Sequence, residues 1–170
     1  ISNEHGLTEI WSTGHRNPQG AIWNPVTESL WTVSHGAKGG DEINHIKPGR
    51  NYGWPVISYG THYWGTKIGE GTHKNGMEQP VYYWDPSIAP SGFTYYQGDA
   101  FPAWKGHLFV GALKFETIVR LKIQNNKVVS EERLFENKFG RIRDIRQGPE
   151  GYLYFLTDED PGQLYRIRPF

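Results

Sequence analysis

Three stretches of this chain repeat one plan. Asn24-Pro25 leads to Leu30-Trp31-Thr32-Val33, Phe101-Pro102 to Leu108-Phe109-Val110, and Gly148-Pro149 to Leu153-Tyr154-Phe155-Leu156. Each is a strand, a proline turn, a leucine-aromatic strand and then a further strand, at 41–46, 117–123 and 163–168 respectively. Repetition of this kind belongs to folds in which each unit buries its apolar face against the next.

Period-two alternation extends the plan to twelve strands, at 7–12, 20–23, 30–35, 42–46, 81–84, 92–96, 107–113, 117–123, 128–135, 142–146, 153–157 and 163–168. No segment has the spacing of an amphipathic helix. Aromatic residues make up 15% of the chain, including seven Trp and ten Tyr, as suits strands rather than helices. The 21 Gly and 11 Pro recur between short apolar runs, as turns do in a many-stranded fold. The expected class is all-β. Twelve strands in three groups give about four per group, the unit of a β-propeller blade.

Residues 1–170 are therefore read as a single partial propeller domain of about three four-stranded blades. Three blades do not close a ring, since propellers typically have about 4 to 8. The expectation is that a second copy or N-terminal blades complete it, and a chain beginning at Ile1 rather than Met agrees with a fragment. The stretch from about 47 to 79 fits no blade and is rich in Gly, His, Tyr and Trp. Long irregular loops are usually functional, so it is expected on the active face.

Eighteen basic residues balance eighteen acidic ones without a block of either sign, which argues against nucleic acid or an anionic membrane as partner. No apolar stretch approaches the roughly 20 residues of a membrane span and no signal peptide is readable, which predicts a soluble chain. With no Cys there is no disulfide, thiolate metal site or Cys nucleophile. The seven His show no ligand spacing, and the chain has no nucleophile elbow, P-loop or dinucleotide fingerprint. Function should lie in a local site.

Polar residues gather at strand ends, which in a propeller surround the mouth of the central channel. Arg16 lies in Gly14-His15-Arg16-Asn17-Pro18-Gln19-Gly20, Lys114 ends a strand, and Arg141 and Arg143 flank Ile142. Alternate residues of a strand share a face, so these two arginines are expected to point the same way. Three Arg and a Lys near one axis suit a ligand with several carboxylates, because Arg pairs with them bidentately and Lys adds a point charge. Taken singly, each Arg reads first as a solvated surface residue. The run His35-Gly36-Ala37-Lys38-Gly39-Gly40-Asp41-Glu42 allows backbone carbonyls to turn toward a cation such as Ca²⁺, although alone it is an ordinary glycine-rich turn.

With those residues in view, the chain resembles the soluble quinoprotein glucose/sorbosone, or aldose sugar, dehydrogenases. The likeness runs from Gly14 to Pro169 and rests on five motifs in order: the Arg16 segment, Gly39-Gly40-Asp41-Glu42-Ile43-Asn44, Asn51-Tyr52-Gly53-Trp54-Pro55, Ala89-Pro90-Ser91, and Arg141-Ile142-Arg143-Asp144. The resemblance implies a six-bladed propeller of which this is the C-terminal half. It further implies pyrroloquinoline quinone (PQQ) held by Arg16, Asn17, Gln19, Lys114, Arg141 and Arg143, and Ca²⁺ held by the carbonyls of Gly36 and Ala37. Tyr82, Asp85 and Ser87 fall where relatives line the cofactor and sugar pocket, with Asp85 replacing an aromatic of some members.

The implied activity is oxidation of an aldose at its anomeric carbon to a lactone, by hydride transfer to the quinone, followed by delivery of electrons to an acceptor. Lys114 or Arg141 would stabilise the developing oxyanion. The family's general-base histidine lies upstream of the Arg16 motif and so outside this chain, which would leave the isolated chain inactive. A periplasmic or secreted location follows from the family's habit. Two rival classes remain: a non-catalytic, ligand-binding propeller, and a lactonase-type hydrolase whose metal would be held by Asp41, Glu42, Asn44 and Asp144.

Overall fold

The computed structural model describes residues 9–169. It holds eleven strands in three antiparallel sheets and one short 3₁₀ turn at Pro102–Trp104. The first sheet is β1 (Pro18–Asn24), β2 (Ser29–Ser34), β3 (Asp41–Ile46) and β4 (Tyr82–Trp84). The second is β5 (Pro90–Tyr95), β6 (Leu108–Ala112), β7 (Thr117–Gln124) and β8 (Lys127–Leu134), and the third is β9 (Ile142–Gln147), β10 (Leu153–Thr157) and β11 (Leu164–Ile167). In each sheet the strands pair in sequence order, the pattern of a propeller blade.

Eleven of the twelve expected strands are present. The twelfth, at 7–12, lies partly outside the described residues, and its described part, Glu9 to Ser12, carries no strand. The third sheet has three strands among the described residues.

Burial explains why the strands read so well. Leu108, Val110 and Ala112 of β6 pack toward the first sheet, with Val119 and Leu121 of β7 beside them, against Ile22, Trp31, Val33 and Ile43. The residues between them, Phe109 and Ile118, face the third sheet and meet Ile142, Ile145, Leu153 and Phe155. A strand enclosed on both faces has no polar side, so β6 is apolar throughout. The outer strand β8 pairs on one edge alone among the described residues and is instead rich in Lys, Glu and Arg, the usual protection of an exposed edge.

The inner strands β1, β5 and β9 stand side by side. Their approach depends on glycine. A Cβ on Gly20 of β1 would lie 2.6 Å from the Cβ of Phe93 on β5, and one on Gly92 of β5 would lie 2.1 Å from Asp144 Oδ1 on β9. Ser91 Oγ adds a 2.6 Å hydrogen bond to the carbonyl of Ile142, tying the second blade to the third.

Each inner strand also carries a bulge near its start. Pro18 pairs with Ser34 and Gly20 with Val33, leaving Gln19 as the extra residue. Asp144 pairs with Leu156 and Ile142 with Thr157, so Arg143 is extra on β9. On β5, the three steps from Pro90 to Phe93 match two on β6. The expectation that Arg141 and Arg143 share a face is thereby corrected: Arg141 precedes β9, and the bulge at Arg143 breaks the alternation on which that expectation relied.

Between β3 and β4, residues 47–81 form no strand, as expected of the insert. They are anchored by buried Tyr52, Ile57 and Ile68 and by the Tyr52 hydroxyl, which donates to the carbonyl of His45 at 2.6 Å and accepts from the Lys47 N–H at 2.8 Å.

Because Gly92 leaves no room for a methyl group between two backbones, Gly92→Ala is expected to cost at least about 2 kcal/mol through overpacking. Urea unfolding checks it: a midpoint equal to that of the unsubstituted chain would show that the inner strands are not packed this closely.

Candidate functional site

One buried carboxylate organises the rim of the first blade. Asp41 opens β3 and is fully buried. Its Oδ1 accepts the N–H of Gly36 at 2.8 Å, and its Oδ2 accepts the Ser87 hydroxyl at 2.7 Å and the N–H groups of Ile88 and Ala89 at 2.8 and 3.1 Å. The loop at 36–40 and the turn at 85–89 are therefore held by a single side chain. The turn in turn fixes the end of β6, since Leu113 N–H donates to Ala89 O at 2.9 Å and Lys114 N–H to Ile88 O at 3.1 Å.

These elements enclose a cleft of about 450 Å³ whose walls include His35, Ala37, Tyr63, Asp85, Ser87 and Lys114. Gly39 and Gly40, with φ of 83° and 72°, let the loop fold back tightly enough to form one wall. A Cβ on Gly39 would sit 2.2 Å from Asp85 Oδ1.

Cations gather beside the cleft. Arg16 donates to the carbonyl of His35 at 3.3 Å and lies 5.2 Å from the ring centre of Trp54. Burial pushes the His35 imidazole below its ordinary pKa; Asp41 and a contact with the Pro90 carbonyl oppose this, while the charges of Arg16 and Arg143 add to it. Both arginines thus act on His35 from different blades. Asn17 and Gln19 join this rim: the Asn17 carbonyl accepts from the His35 N–H at 2.9 Å, and Gln19 Nε2 donates to Asn17 Oδ1 at 2.8 Å.

Ion pairing sorts the cations. Among the described residues Arg50, Arg120, Arg133, Arg141 and Arg146 each meet a carboxylate, whereas Arg16, Arg143 and Lys114 meet none, as also holds for Arg166, Arg168, Lys67, Lys122, Lys127, Lys138 and the cleft-lining Lys38.

The model of the glucose/sorbosone dehydrogenase family matches residues 1–166. The chain belongs to this family. It is 48% identical over 171 residues to aldose sugar dehydrogenase YliI of Escherichia coli (strain K12), covering 99% of this chain and 46% of that protein. The solved apo-form of the soluble aldose sugar dehydrogenase of Escherichia coli superimposes with a TM-score of 0.94 at 46% identity, over 100% of this chain and 50% of that one. The PQQ-bound form of an aldose sugar dehydrogenase from Streptomyces coelicolor does so with a TM-score of 0.70 at 26% identity, over 94% of this chain and 45% of that one. The chain spans about half the length of these relatives. Its three sheets match the propeller-blade fold of the sugar dehydrogenases.

On this glucose/sorbosone dehydrogenase scaffold the expected site residues separate into two sets. Arg16, Asn17, Gln19, Arg143, Lys114, Ala37 and Asp85 lie around His35 and the cleft. Arg141 is turned to Asp158, which accepts from its Nε at 3.1 Å and Nη2 at 2.9 Å. Tyr82 is also absent from the cleft lining. Its hydroxyl donates to Glu131 on β8 at 2.8 Å, its ring packs against the core, and burial raises its pKa to about 12. Ser87 does line the cleft, but its hydroxyl is engaged within the turn by Asp41 and the Ala89 N–H. His35 and Tyr63 are among the cleft residues that the motifs did not assign, with Lys38, Thr61 and Pro86. The sequence marks His35 and Tyr63 only as a residue beside the glycine run and a member of an aromatic insert.

No hydrogen bond described among these residues uses the carbonyls of Gly36 or Ala37, so two hard oxygen donors remain of the kind Ca²⁺ accepts. The acidic set considered for a hydrolase is otherwise occupied: Asp41 accepts four donors, Glu42 accepts Asn44 Nδ2, and Asp144 pairs with Arg146. Among the described residues no three His, Cys, Asp or Glu side chains converge to hold a metal.

Asp41→Asn turns a carboxylate oxygen into an amide donor that faces backbone N–H groups, so unfolding should become easier by about 3 kcal/mol or more. A denaturant midpoint unchanged by the substitution would contradict Asp41's role as the rim's anchor. Burial also lowers the pKa of His15, His35, His45 and His107. The unfolded chain then binds protons near pH 6.5, where the folded one does not. Stability should be complete above that value and fall as pH drops through the lowered folded values, as melting temperatures taken between pH 8 and pH 5 would read.

Proposed function

We propose that this chain is the cofactor-binding part of a quinoprotein aldose dehydrogenase that oxidises the anomeric carbon of an aldose to a lactone. The observation that carries the reading is that Lys114, which lines the cleft, and Arg16 and Arg143, whose charges both act on His35 in its wall, meet no carboxylate among the described residues, whereas Arg141 does. A small ligand with several carboxylates fits this charge pattern, and a PQQ-bound relative supports the choice.

In this reading Arg16 and Arg143 hold the carboxylates of PQQ, and the atoms of Asn17 and Gln19 that their mutual hydrogen bond leaves over, Nδ2 and Oε1, meet its remaining polar atoms. The carbonyls of Gly36 and Ala37 hold Ca²⁺ beside it. Bound there, the cofactor supplies a two-electron acceptor for the sugar's anomeric hydrogen. Lys114 contributes positive charge where negative charge grows during the reaction, and Arg141, already neutralised by Asp158, serves the fold of the third blade instead. Trp54 holds Arg16 in place through its ring face.

No general base is assigned to these residues. His15 Nε2 is bonded to Ser12 Oγ at 2.8 Å and its ring stacks on Tyr52, while the charges of Arg16 and Arg143 both act on His35. The base, and the blades that close the ring, are proposed to come from the part of the protein that the longer relatives have in addition, or from a second copy. An extracytoplasmic location, with a separate electron acceptor, completes the proposal.

Quinone titration followed by absorbance, with and without Ca²⁺, tests it. Saturable binding that Arg143→Leu weakens about ten- to a hundredfold, the scale of a charged hydrogen bond, is expected. Binding that is absent, or indifferent to both Arg143→Leu and Lys114→Met, would overturn it.

A further inference from the structure

The ends of the blades opposite the candidate site form a second cleft. It lies where β1 and β5 finish, at Asn24 and Tyr95, where β6 begins after His107, and where β7 runs out into the turn that joins it to β8. Its volume is about 230 Å³, and it shares no lining residue with the cleft around Lys114. The joining turn consists of Asn125 and Asn126, with φ of 50° and 60°, the paired left-handed residues of a two-residue hairpin.

The walls of this cleft hold donors with no acceptor. Asn24 is 2% exposed, and its Oδ1 accepts the N–H groups of Val26 and Thr27 at 2.9 and 3.4 Å. Those bonds fix which way the amide faces, and its Nδ2 meets no acceptor among the described residues. His107 is 9% exposed, and its Nδ1 is enclosed without a partner. An enclosed N–H is the costlier group to leave unpaired, so the ring proton belongs on Nε2, which makes the open side of the imidazole a donor. Burial raises the pKa of the Tyr95 hydroxyl, which therefore keeps its proton. That hydroxyl stands 3.5 Å from where a Cβ on Gly106 would lie, beside His107, and it too has no hydrogen bond among the described residues.

The charge around these donors is positive. Lys122 lines the cleft without an ion pair among the described residues, and its charge acts on His107. No Asp or Glu lines the cleft. The carboxylates of Asp99 and Glu132 are taken by Lys105 and Arg120. Buried polar groups nearly always find a partner. Water would meet each donor but leave the lysine charge, whereas a tetrahedral oxyanion brings several acceptors and the opposite charge together.

We infer that this cleft binds a tetrahedral oxyanion, phosphate or the phosphate group of a small monoester, through Asn24 Nδ2, His107 Nε2, the Tyr95 hydroxyl and Lys122. The anion bridges the first blade, which supplies Asn24, to the second, which supplies the other three. Nothing in this inference depends on the quinone reading, because the two clefts lie at opposite ends of the strands. It also gives His107 a measurable signature. Burial holds its pKa down, the charges of Arg120 and Lys122 lower it further, and Glu132 opposes them. A bound anion adds negative charge and raises it.

NMR of the histidine rings in the whole chain tests this, with phosphate, glycerol 3-phosphate and chloride titrated at constant ionic strength. Saturable movement of the His107 signals below about 10 mM phosphate is expected, with a higher His107 pKa in the saturated sample. Asn24→Asp keeps an oxygen for the Val26 and Thr27 N–H groups but replaces the donor with a negative charge, and Lys122→Gln removes the cation. Each should weaken phosphate about tenfold or more, the scale of one charged hydrogen bond. Lys122 is exposed, so its variant decides the matter even where Asn24→Asp fails to fold. Arg143→Leu, at the other end of the blades, should leave the His107 response as it is. Tighter binding of glycerol 3-phosphate than of phosphate assigns the site to a phosphate-bearing small molecule, and the reverse order to the free ion. A His107 signal that does not move, that chloride moves equally, or that is indifferent to Lys122→Gln would overturn the inference.

Discussion

The rim of this protein depends on the carboxylate of Asp41. Two oxygens in a fully buried place accept four hydrogen bonds from two segments 46 to 48 residues away or five residues away in sequence. A buried charge is costly unless its lone pairs are occupied, and here three backbone N–H groups and a hydroxyl occupy them without any cation within ion-pair distance among the described residues. The same bonds satisfy N–H groups of a loop and a turn that no strand could pair. One side chain therefore sets the positions of the glycine loop, the turn carrying Asp85 and Ser87, and, through the turn's carbonyls, Lys114.

The inner strands add a second constraint. Side-by-side packing of β1, β5 and β9 requires Gly20 and Gly92, whose missing side chains admit the neighbouring backbone. At the rim each strand then departs from regular pairing by a bulge, which turns Gln19 and Arg143 out of the alternation that the rest of the strand obeys. Rigid packing below and irregular pairing above is the arrangement by which a propeller carries polar chemistry on one end without disturbing its apolar layers. Asp144 stands on β9 where the other two inner strands have glycine, and it fills the space that Gly92 leaves open on β5.

Much of this was legible in advance. Period-two alternation located eleven strands, because a residue in a blade either faces the next blade or does not. The apolar run at Leu108–Ala112 read as strand for the same reason: both its faces are covered. The insert's glycines and aromatics marked it as irregular. The partner of each polar residue was less accessible. Arg141 and Arg143 are two positions apart and of one type, yet Asp158 pairs with the first and no carboxylate among the described residues pairs with the second, whose charge acts on His35. Tyr82 resembles a pocket residue by its place near Asp85, but its ring packs on the core and its hydroxyl reaches Glu131, 49 residues away on β8.

The amino-acid sequence alone determined the fold class, the blade repeat and the family, since these follow from local alternation, turn residues and motif order. Tertiary structure decided which cations remain without carboxylates and that Asp41 is an anchor rather than a metal ligand. Those outcomes depend on distances between residues far apart in the chain, which no local pattern encodes.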